Sequence, residues 1–179
     1  MDLAPFTPYS SNPTPDSRRA ITRQVMSDTQ ELTEHLIDGL LQIVAMEGPV
    51  LSTRAFKLYA QKGGMGKLTS VAKRRFSEAL KKARVEGKVM MERDPSAEGI
   101  IALLWLPSMQ RVIVREYGNR GFDDIPASEL GEVMFEVAAE FGDDKSVLYQ
   151  KMAELYGLKQ VQKKATSRLD LVYKEYLGS

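Results

Sequence analysis

Apolar residues recur with a helical period in two stretches of the chain, and the two stretches match each other at a constant offset of 93 residues. The matched positions of the first stretch are Ile37, Leu40, Leu41, Val44, Ala45, Phe56, Tyr59, Ala60, Gly64, Met65, Ala72, Phe76, Ala79, Leu80 and Ala83. Those of the second are Leu130, Val133, Met134, Val137, Ala138, Tyr149, Met152, Ala153, Gly157, Leu158, Ala165, Leu169, Val172, Tyr173 and Tyr176. Because self-similarity at a fixed period marks a repeated structural unit, we expect two copies of one compact helical arrangement.

The first copy shows helix start and stop signals in a recognisable order. The pattern predicts a helix from Thr29 to Glu47, a short extended piece at Val50-Leu51, a helix from Ser52 or Thr53 to Gly63-Gly64, and a helix from Thr69 or Ser70 to about Glu86. Two apolar runs, 88–92 and 100–106, flank a polar turn with Pro95 and Gly99 and predict a β-hairpin. Helix, strand, helix, basic helix and hairpin is the order of a winged helix-turn-helix.

The second copy predicts three helices, at 127–141, 144–156 and 160–177, and leaves no room for a second wing before residue 179. The predicted fold class is therefore mainly α with a small β-hairpin wing, a tandem winged helix-turn-helix. The predicted organisation is a Pro-rich arm or linker (1–28), in which Arg18 and Arg19 are candidates to open a short helix, a basic winged-helix unit (29–107), a connector (108–126) and a second helical unit (127–179).

Net charge is only +1, but the charge is strongly divided along the chain. Residues 52–88 contain eleven Lys and Arg residues and two acids, whereas residues 123–144 contain eight acids and no base. This polarity suggests that the first unit has an anionic partner.

The third predicted helix carries this positive charge on the side opposite its apolar face. Its exposed row is Ser70, Arg74, Ser77 and Lys81, flanked by Lys73 and Arg84. Short hydroxyls and Lys or Arg are the side chains that a helix in the major groove needs, although a solvated helix face has a similar composition. With Lys67, Lys88 and Arg93 expected on phosphates, the candidate nucleic-acid-binding residues are Lys67, Ser70, Lys73, Arg74, Ser77, Lys81, Arg84, Lys88 and Arg93.

The second copy offers a less suitable row for DNA: Lys163, Ser167, Asp170 and Lys174. Asp170 stands at the position of Ser77 and would repel phosphate. Its first helix carries Glu129, Glu132, Glu136 and Glu140, which we expect to face away from DNA or toward a partner.

Other chemistry finds little support in the sequence. There is no cysteine and only one histidine, so we expect no metal site. The sequence has no Gly-x-Ser-x-Gly elbow, no cysteine nucleophile and no evident catalytic partner for His35, so we expect no enzymatic activity and no cofactor. The run from Gly63 to Thr69 lacks the spacing of a phosphate-binding loop and predicts a turn. The acid pairs at 123–124 and 143–144 predict helix caps rather than a nuclease metal site, and Trp105 predicts packing rather than base stacking. The loop 117–122 is either a linker or a single-strand contact.

Without a signal peptide or a membrane span, the chain is expected to be cytoplasmic.

Five short motifs are spread along the chain: Glu47-Gly48-Pro49-Val50, Val114-Arg115-Glu116, Ile125-Pro126, Glu129-Leu130 and Leu155-Tyr156-Gly157-Leu158-Lys159. Together they resemble those of an uncharacterised bacterial domain at the C-terminus of large superfamily-one helicase-like proteins, often after a restriction-endonuclease-like domain. The resemblance implies a role in DNA repair or in defence against foreign DNA, without catalytic residues in this domain. A His often follows the first motif in that family, and here Leu51 does.

Three functional hypotheses are compatible with the sequence. The first is a non-catalytic module that binds duplex DNA. The second is a docking or dimerisation module with a helicase or nuclease partner domain or a second copy as its partner, because the Glu-rich stretch complements the basic one. The third is a transcription regulator, which would require a dimer and a preferred site.

Overall fold

A computed structural model describes residues 1–95, 101–161 and 163–178 of the chain. This part of the chain is mainly helical, with seven α-helices and one small three-stranded antiparallel sheet, as the sequence predicted at this coarse level. The elements are α1 (Pro15–Met26), α2 (Gln30–Glu47), β1 (Val50–Leu51), α3 (Ser52–Lys62), α4 (Ser70–Val85), β2 (Met90–Arg93), β3 (Ala102–Trp105), α5 (Ala127–Phe141), α6 (Lys145–Leu155) and α7 (Lys163–Tyr176).

The chain divides into two compact units. We call Pro8–Glu92 with Ala102–Gln110 the basic unit, and Met1–Thr7 with Arg93–Ile101 and Arg111–Ser179 the C-terminal unit. The basic unit has fourteen Lys and Arg residues against nine Asp and Glu residues, a formal net charge of +5. The charge division found along the sequence is therefore also a division between compact bodies.

The core of the basic unit forms around α2, whose apolar residues Leu36, Ile37, Leu40 and Ile43 are fully buried. Phe76 of α4 enters this core and meets Phe56 and Tyr59 of α3 edge-on, with ring centroids 5.5 Å apart in both pairs. Such edge-to-face contacts add to the stabilisation that burial already provides. They fix the orientation of α4, so that its opposite side points into solvent.

The sheet has the strand order β1-β3-β2, with Val50 opposite Leu104 and Leu51 opposite Leu103. Trp105 is buried in β3. Its burial agrees with the predicted packing role and not with stacking on a base. Part of the expected hairpin turn, including Gly99, lies outside the described residues.

The Pro-rich first 28 residues depart from the predicted linker, because they contain a packed helix. Thr14 caps α1, and Ile21 and Val25 of that helix are buried in the core of the basic unit. Proline at the first helical position is compatible with this arrangement, since its missing N–H would have had no partner there. Residues 15–26 thus belong to the basic unit.

The C-terminal unit packs α5, α6 and α7 around Leu130, Met134, Leu148 and Leu169. Met1–Thr7 belongs to the same unit: the Ala4 amide donates to the Val114 carbonyl at 3.0 Å, and the Ala4 carbonyl accepts from the Glu116 amide at 2.8 Å. The predicted connector around residue 115 is therefore paired with the chain start.

A buried ion cluster anchors that pairing. Glu129, expected to be exposed, is 1% exposed and accepts from Arg120 through two hydrogen bonds of 2.8 Å. It also accepts from the Arg115 backbone amide at 3.0 Å, and the Phe6 ring lies over the Arg120 guanidinium at 4.5 Å. Glu129 is thus a structural charge, and only the acids farther along α5 remain at the surface.

Candidate nucleic-acid interface

Helix α4 presents the predicted apolar face to the core. Ala72, Phe76, Ala79, Leu80 and Ala83 are each at most 2% exposed. The helix begins where predicted, because the Thr69 hydroxyl accepts from the Ala72 amide at 3.2 Å. The opposite side consists of the polar residues named in the sequence analysis, which we call the α4 face: Ser70, Lys73, Arg74, Ser77, Lys81 and Arg84.

Most of the α4 face is freely accessible. Ser77 is half-buried and the five other members are exposed. Lys73, Lys81 and Arg84 form no ion pair with any residue that the structure describes, nor does the exposed Lys67 in the preceding turn. Arg74 is only loosely engaged, with its Nε 3.9 Å from Glu78 Oε1. Four cations are therefore available to an anionic ligand, with Glu78 at one edge of the face.

Lys88 differs from the sequence expectation, because acids from its own unit already neutralise it. Its Nζ lies 2.7 Å from Glu86 Oε2 and 3.0 Å from Glu34 Oε2. Glu34 of α2 also accepts from Lys82, and its two lysine partners hold the pKa of Glu34 below its usual range. The same carboxylates raise the pKa of Lys88. Lys82 and Lys88 belong to this acid–base cluster rather than to the available cations.

Arg75 of α4 is buried and holds α1 in place. Its Nη2 donates to the Ser27 carbonyl at 2.9 Å and to the Thr33 hydroxyl at 3.2 Å, and its Nε donates to the Gln24 carbonyl at 3.4 Å. These acceptors lie at the end of α1 and in the first turn of α2. Arg75 therefore positions α4 within the basic unit and is not part of its exposed charge.

Arg93, the last predicted phosphate contact, is exposed at the end of β2 but falls in the C-terminal unit. The interface of the basic unit is thus built from α4 and the turn that precedes it. The sequence did not indicate that Arg93 belongs to the C-terminal unit, because no local pattern marks the point within β2 at which one unit ends and the other begins.

Helix α7 carries the corresponding row, which we call the α7 face: Lys163, Ser167, Asp170 and Lys174. The Asp170 carboxylate accepts from the Tyr149 hydroxyl at 2.8 Å and from Lys145 Nζ at 3.2 Å. These two donors lower the pKa of Asp170, so it is a fixed negative charge in the middle of the row. Burial and this carboxylate raise the pKa of Tyr149, which remains a neutral donor.

The loop 117–122 does not present a single-strand contact. The Arg120 side chain is 1% exposed and pairs with Glu129, while the rings of Tyr117, Phe122 and Tyr156 pack against one another at 5.6–5.9 Å. In the sequence, Arg120 stands among aromatic residues and glycines. Its ion-pair partner in the fold, Glu129, lies nine residues further along the chain.

Two other motif predictions are confirmed. Gly64 adopts a positive φ of 67° in the turn between α3 and α4, as a turn residue should. Asp144 caps α6 by accepting from the Ser146 and Val147 amides at 3.0 and 3.1 Å. The pair at 123–124 does not cap the next long helix as predicted: it lies in a 3-10 turn, where the Asp124 carboxylate accepts from the Gly121 amide at 3.2 Å, and the cap position of α5 is Pro126, which has no side-chain hydrogen bond. The described residues contain no cluster of acids and histidine suited to a metal ion, and none of their helices is both long and apolar enough to cross a membrane.

Comparisons with protein-family models, with curated proteins and with solved structures gave no match to this chain. The resemblance to the helicase-associated domain therefore stays a prediction.

Proposed function

We propose that the basic unit is a non-catalytic module that binds duplex DNA through the α4 face. The observation that carries this proposal is the accessibility of Lys67, Lys73, Lys81 and Arg84, which have no acidic partner among the described residues. Charges of one sign on one side of a helix repel one another, and a polyanion relieves that repulsion.

The dimensions and chemistry of the α4 face suit a DNA groove. A helix with its side chains is about 10–12 Å across, and the major groove of B-DNA is about 12 Å wide. Ser70 and Ser77 are short enough to let the helix backbone approach base edges. The surrounding lysines and arginines would neutralise phosphates and release counterions, which makes binding steeply dependent on salt.

The proposed architecture is a winged helix-turn-helix in the basic unit. Support comes from the element order α2-β1-α3-α4-β2-β3 and from the sheet order β1-β3-β2, which returns the hairpin beside the first strand. The proposal extends to a second copy of the three-helix arrangement in α5, α6 and α7, supported by turns of matching geometry after α3 and α6.

The motif Glu47-Gly48-Pro49-Val50, the most specific part of the family resemblance, has a structural role. The Glu47 carboxylate is 1% exposed, pairs with Arg54 of α3 and accepts from the Tyr9 amide at 2.8 Å. A Cβ at Gly48 would lie 2.4 Å from the Val44 carbonyl oxygen. We place the module in DNA repair or anti-foreign-DNA defence on this resemblance alone.

The proposal is tested by fluorescence anisotropy of a labelled random 20-base-pair duplex at 50 and 200 mM salt. We expect micromolar binding that falls steeply with salt. Arg74→Ala/Lys81→Ala should lower the affinity at least tenfold. The matched control Lys163→Ala/Lys174→Ala removes the same charge from the α7 face and should change the affinity less than twofold. Equal losses in the two double variants, or no binding of the native chain at 50 mM salt, would refute the proposal.

A docking or dimerisation function is the second candidate, and the surface of α5 favours it. Phe135 is 60% exposed between Glu132 and Glu136, which are also exposed. An exposed aromatic ring beside acidic residues suits a partner that is both apolar and basic. For self-association, light scattering should give a mass that rises with protein concentration, and Phe135→Asp should abolish the rise. A constant monomer mass would exclude a second copy as the partner.

A further inference from the structure

Helix α1 brings additional positive charge to the start of α4. Its residue Arg18 is exposed, and its side chain lies directly on Gly64 of the α3–α4 turn, so that a Cβ built on Gly64 would meet the Arg18 Nε at 2.6 Å. Because Gly64 has no side chain and a φ of 67°, the turn offers a flat backbone surface for the aliphatic part of this arginine.

Two further contacts fix α1 against the same turn. The Ser17 hydroxyl donates to the Lys62 carbonyl at 2.9 Å, and a Cβ built on Gly63 would lie 2.9 Å from the Ile21 Cγ2. Ile21 itself is 2% exposed. The start of α1 is therefore packed against the end of α3 by a buried apolar contact and a hydrogen bond, so Arg18 is presented from a rigid element.

Three cations belong to this turn or border it: Arg18 from α1, whose side chain lies on Gly64, Lys62 as the last residue of α3, and Lys67 in the turn itself. We call them the turn patch. The described residues provide no ion-pair partner for any of the three. Lys62 is half-buried, and its Nζ lies 6.0 Å from the centre of the Tyr59 ring.

The neighbouring arginines of α1 are arranged differently. Arg19 Nη2 lies 2.7 Å from Asp16 Oδ1, in an exposed pair. Arg19 and Arg23 are four residues apart and so share one side of the helix, about 100–140° from Arg18. Helix α1 therefore carries one arginine on the α3–α4 turn and two on a different side, which provides an internal control.

We propose that the turn patch is a phosphate-binding site that extends the DNA contact from the α4 face onto α1, through Arg18 and Lys62. This inference rests on the proposed DNA binding and adds two contacts to it. A duplex whose groove receives the α4 face would continue past the beginning of α4, where the turn patch meets the next phosphates of its backbone. Residues 15–26, in a stretch that resembles a linker in sequence, would then be part of the interface.

The experiment compares two double variants of the full chain in the anisotropy assay across a series of salt concentrations. Arg18→Gln/Lys62→Gln removes two charges from the turn patch but retains the Cγ and Cδ atoms of residue 18 that lie on Gly64. Arg19→Gln/Arg23→Gln removes two charges from the other side of α1. Each phosphate contact contributes about one unit to the slope of log affinity against log salt. We expect the first variant to bind about tenfold more weakly at low salt, with a slope smaller by about two, and the second to stay within twofold of the native chain.

Circular dichroism and thermal melting check that each variant is folded. The charge-preserving variant Arg18→Lys/Lys62→Arg is the second control. That variant should restore the native affinity. Equal weakening of the two glutamine variants would assign the effect to net charge and overturn the inference. Native affinity in Arg18→Gln/Lys62→Gln, with weak binding in Arg74→Ala/Lys81→Ala, would overturn the turn patch while leaving the α4 face in place. Absence of binding by the native chain would refute both.

Discussion

The turn between α3 and α4 and the turn between α6 and α7 have the same backbone geometry at an offset of 93 residues. In the first, the amides of Gly63, Gly64 and Met65 donate to carbonyls of α3 at 3.2, 2.8 and 3.0 Å. In the second, the amides of Tyr156, Gly157 and Leu158 donate to carbonyls of α6 at 3.2, 2.9 and 2.8 Å. Gly64 and Gly157 share a positive φ of 67° and 71°. The two turns thus share the backbone geometry that connects each helix to the next.

The helices that follow these turns differ in charge rather than in packing. Both bury an apolar face, and both faces carry lysines without an ion-pair partner among the described residues, but the α7 face has Asp170 between its two lysines, held by Tyr149 and Lys145. The elements before them also differ. Val50 and Leu51 form β1, while the residues at the same offset are Asp143 and Asp144, of which Asp144 caps α6. Turns of the same geometry are therefore followed by helices with different surfaces, and only the α4 face carries the proposed DNA contact.

The largest expected effect concerns the buried ion pairs that stabilise the two units. Glu129→Gln leaves Arg115 and Arg120 without their carboxylate, and Glu47→Gln does the same to Arg54. Breaking a buried pair from one side costs about 3–5 kcal/mol. Urea denaturation should show this loss for Glu47→Gln in the fluorescence of Trp105, the only tryptophan, which lies in the basic unit. For Glu129→Gln the readout is far-UV circular dichroism. A loss below about 1 kcal/mol in either variant would contradict the assigned pairing.

The two turn glycines provide a smaller and sharper comparison. Alanine is strained at a positive φ, by about 1–2 kcal/mol. Gly157→Ala should show this strain alone, because no atom of the described residues lies within 4 Å of a Cβ there. Gly64→Ala should lose more, since its Cβ would displace Arg18, and it should also weaken DNA binding. Thermal unfolding and anisotropy measure the two effects. The comparison fails if Gly157→Ala is the less stable variant.

The smallest effect concerns the caps of α6 and α4. The Ser146 side chain and the Val147 amide lower the pKa of Asp144 in the folded state. A lowered folded pKa means that the cap stabilises the protein fully above the ordinary aspartate pKa of about 4 and loses this effect as the pH falls through the folded value. Asp144→Asn should therefore reduce the melting temperature at pH 7 and have less effect near pH 2. Thr69→Ala, at the uncharged cap of α4, should have the same effect at both pH values.

Local signals were enough to predict the helices of the repeat and the core side of α4. Thr69, Asp144 and the turn glycines act within a few residues of their own position, so their roles are visible in the sequence. The ion pairs are different, because Lys82 and Lys88 meet Glu34 across 48 and 54 residues. Glu129 looked like one acid of an exposed row until the fold brought two arginines to it. The sequence offered a short helix at Arg18-Arg19 but gave no sign that it is packed in the core, because α1 has few apolar residues, such as Ile21 and Val25.

The most direct test of the proposed DNA contact uses the absence of cysteine from the chain. Ser70→Cys introduces one thiol on the α4 face, and Ser167→Cys introduces one on the α7 face; both serines are exposed. The rate of alkylation by iodoacetamide is measured with and without a saturating 20-base-pair duplex. If the α4 face contacts DNA, the duplex slows alkylation of the Ser70→Cys thiol at least fivefold and leaves the Ser167→Cys thiol unchanged. Equal rates with and without DNA at Ser70→Cys, or protection of Ser167→Cys instead, would contradict it.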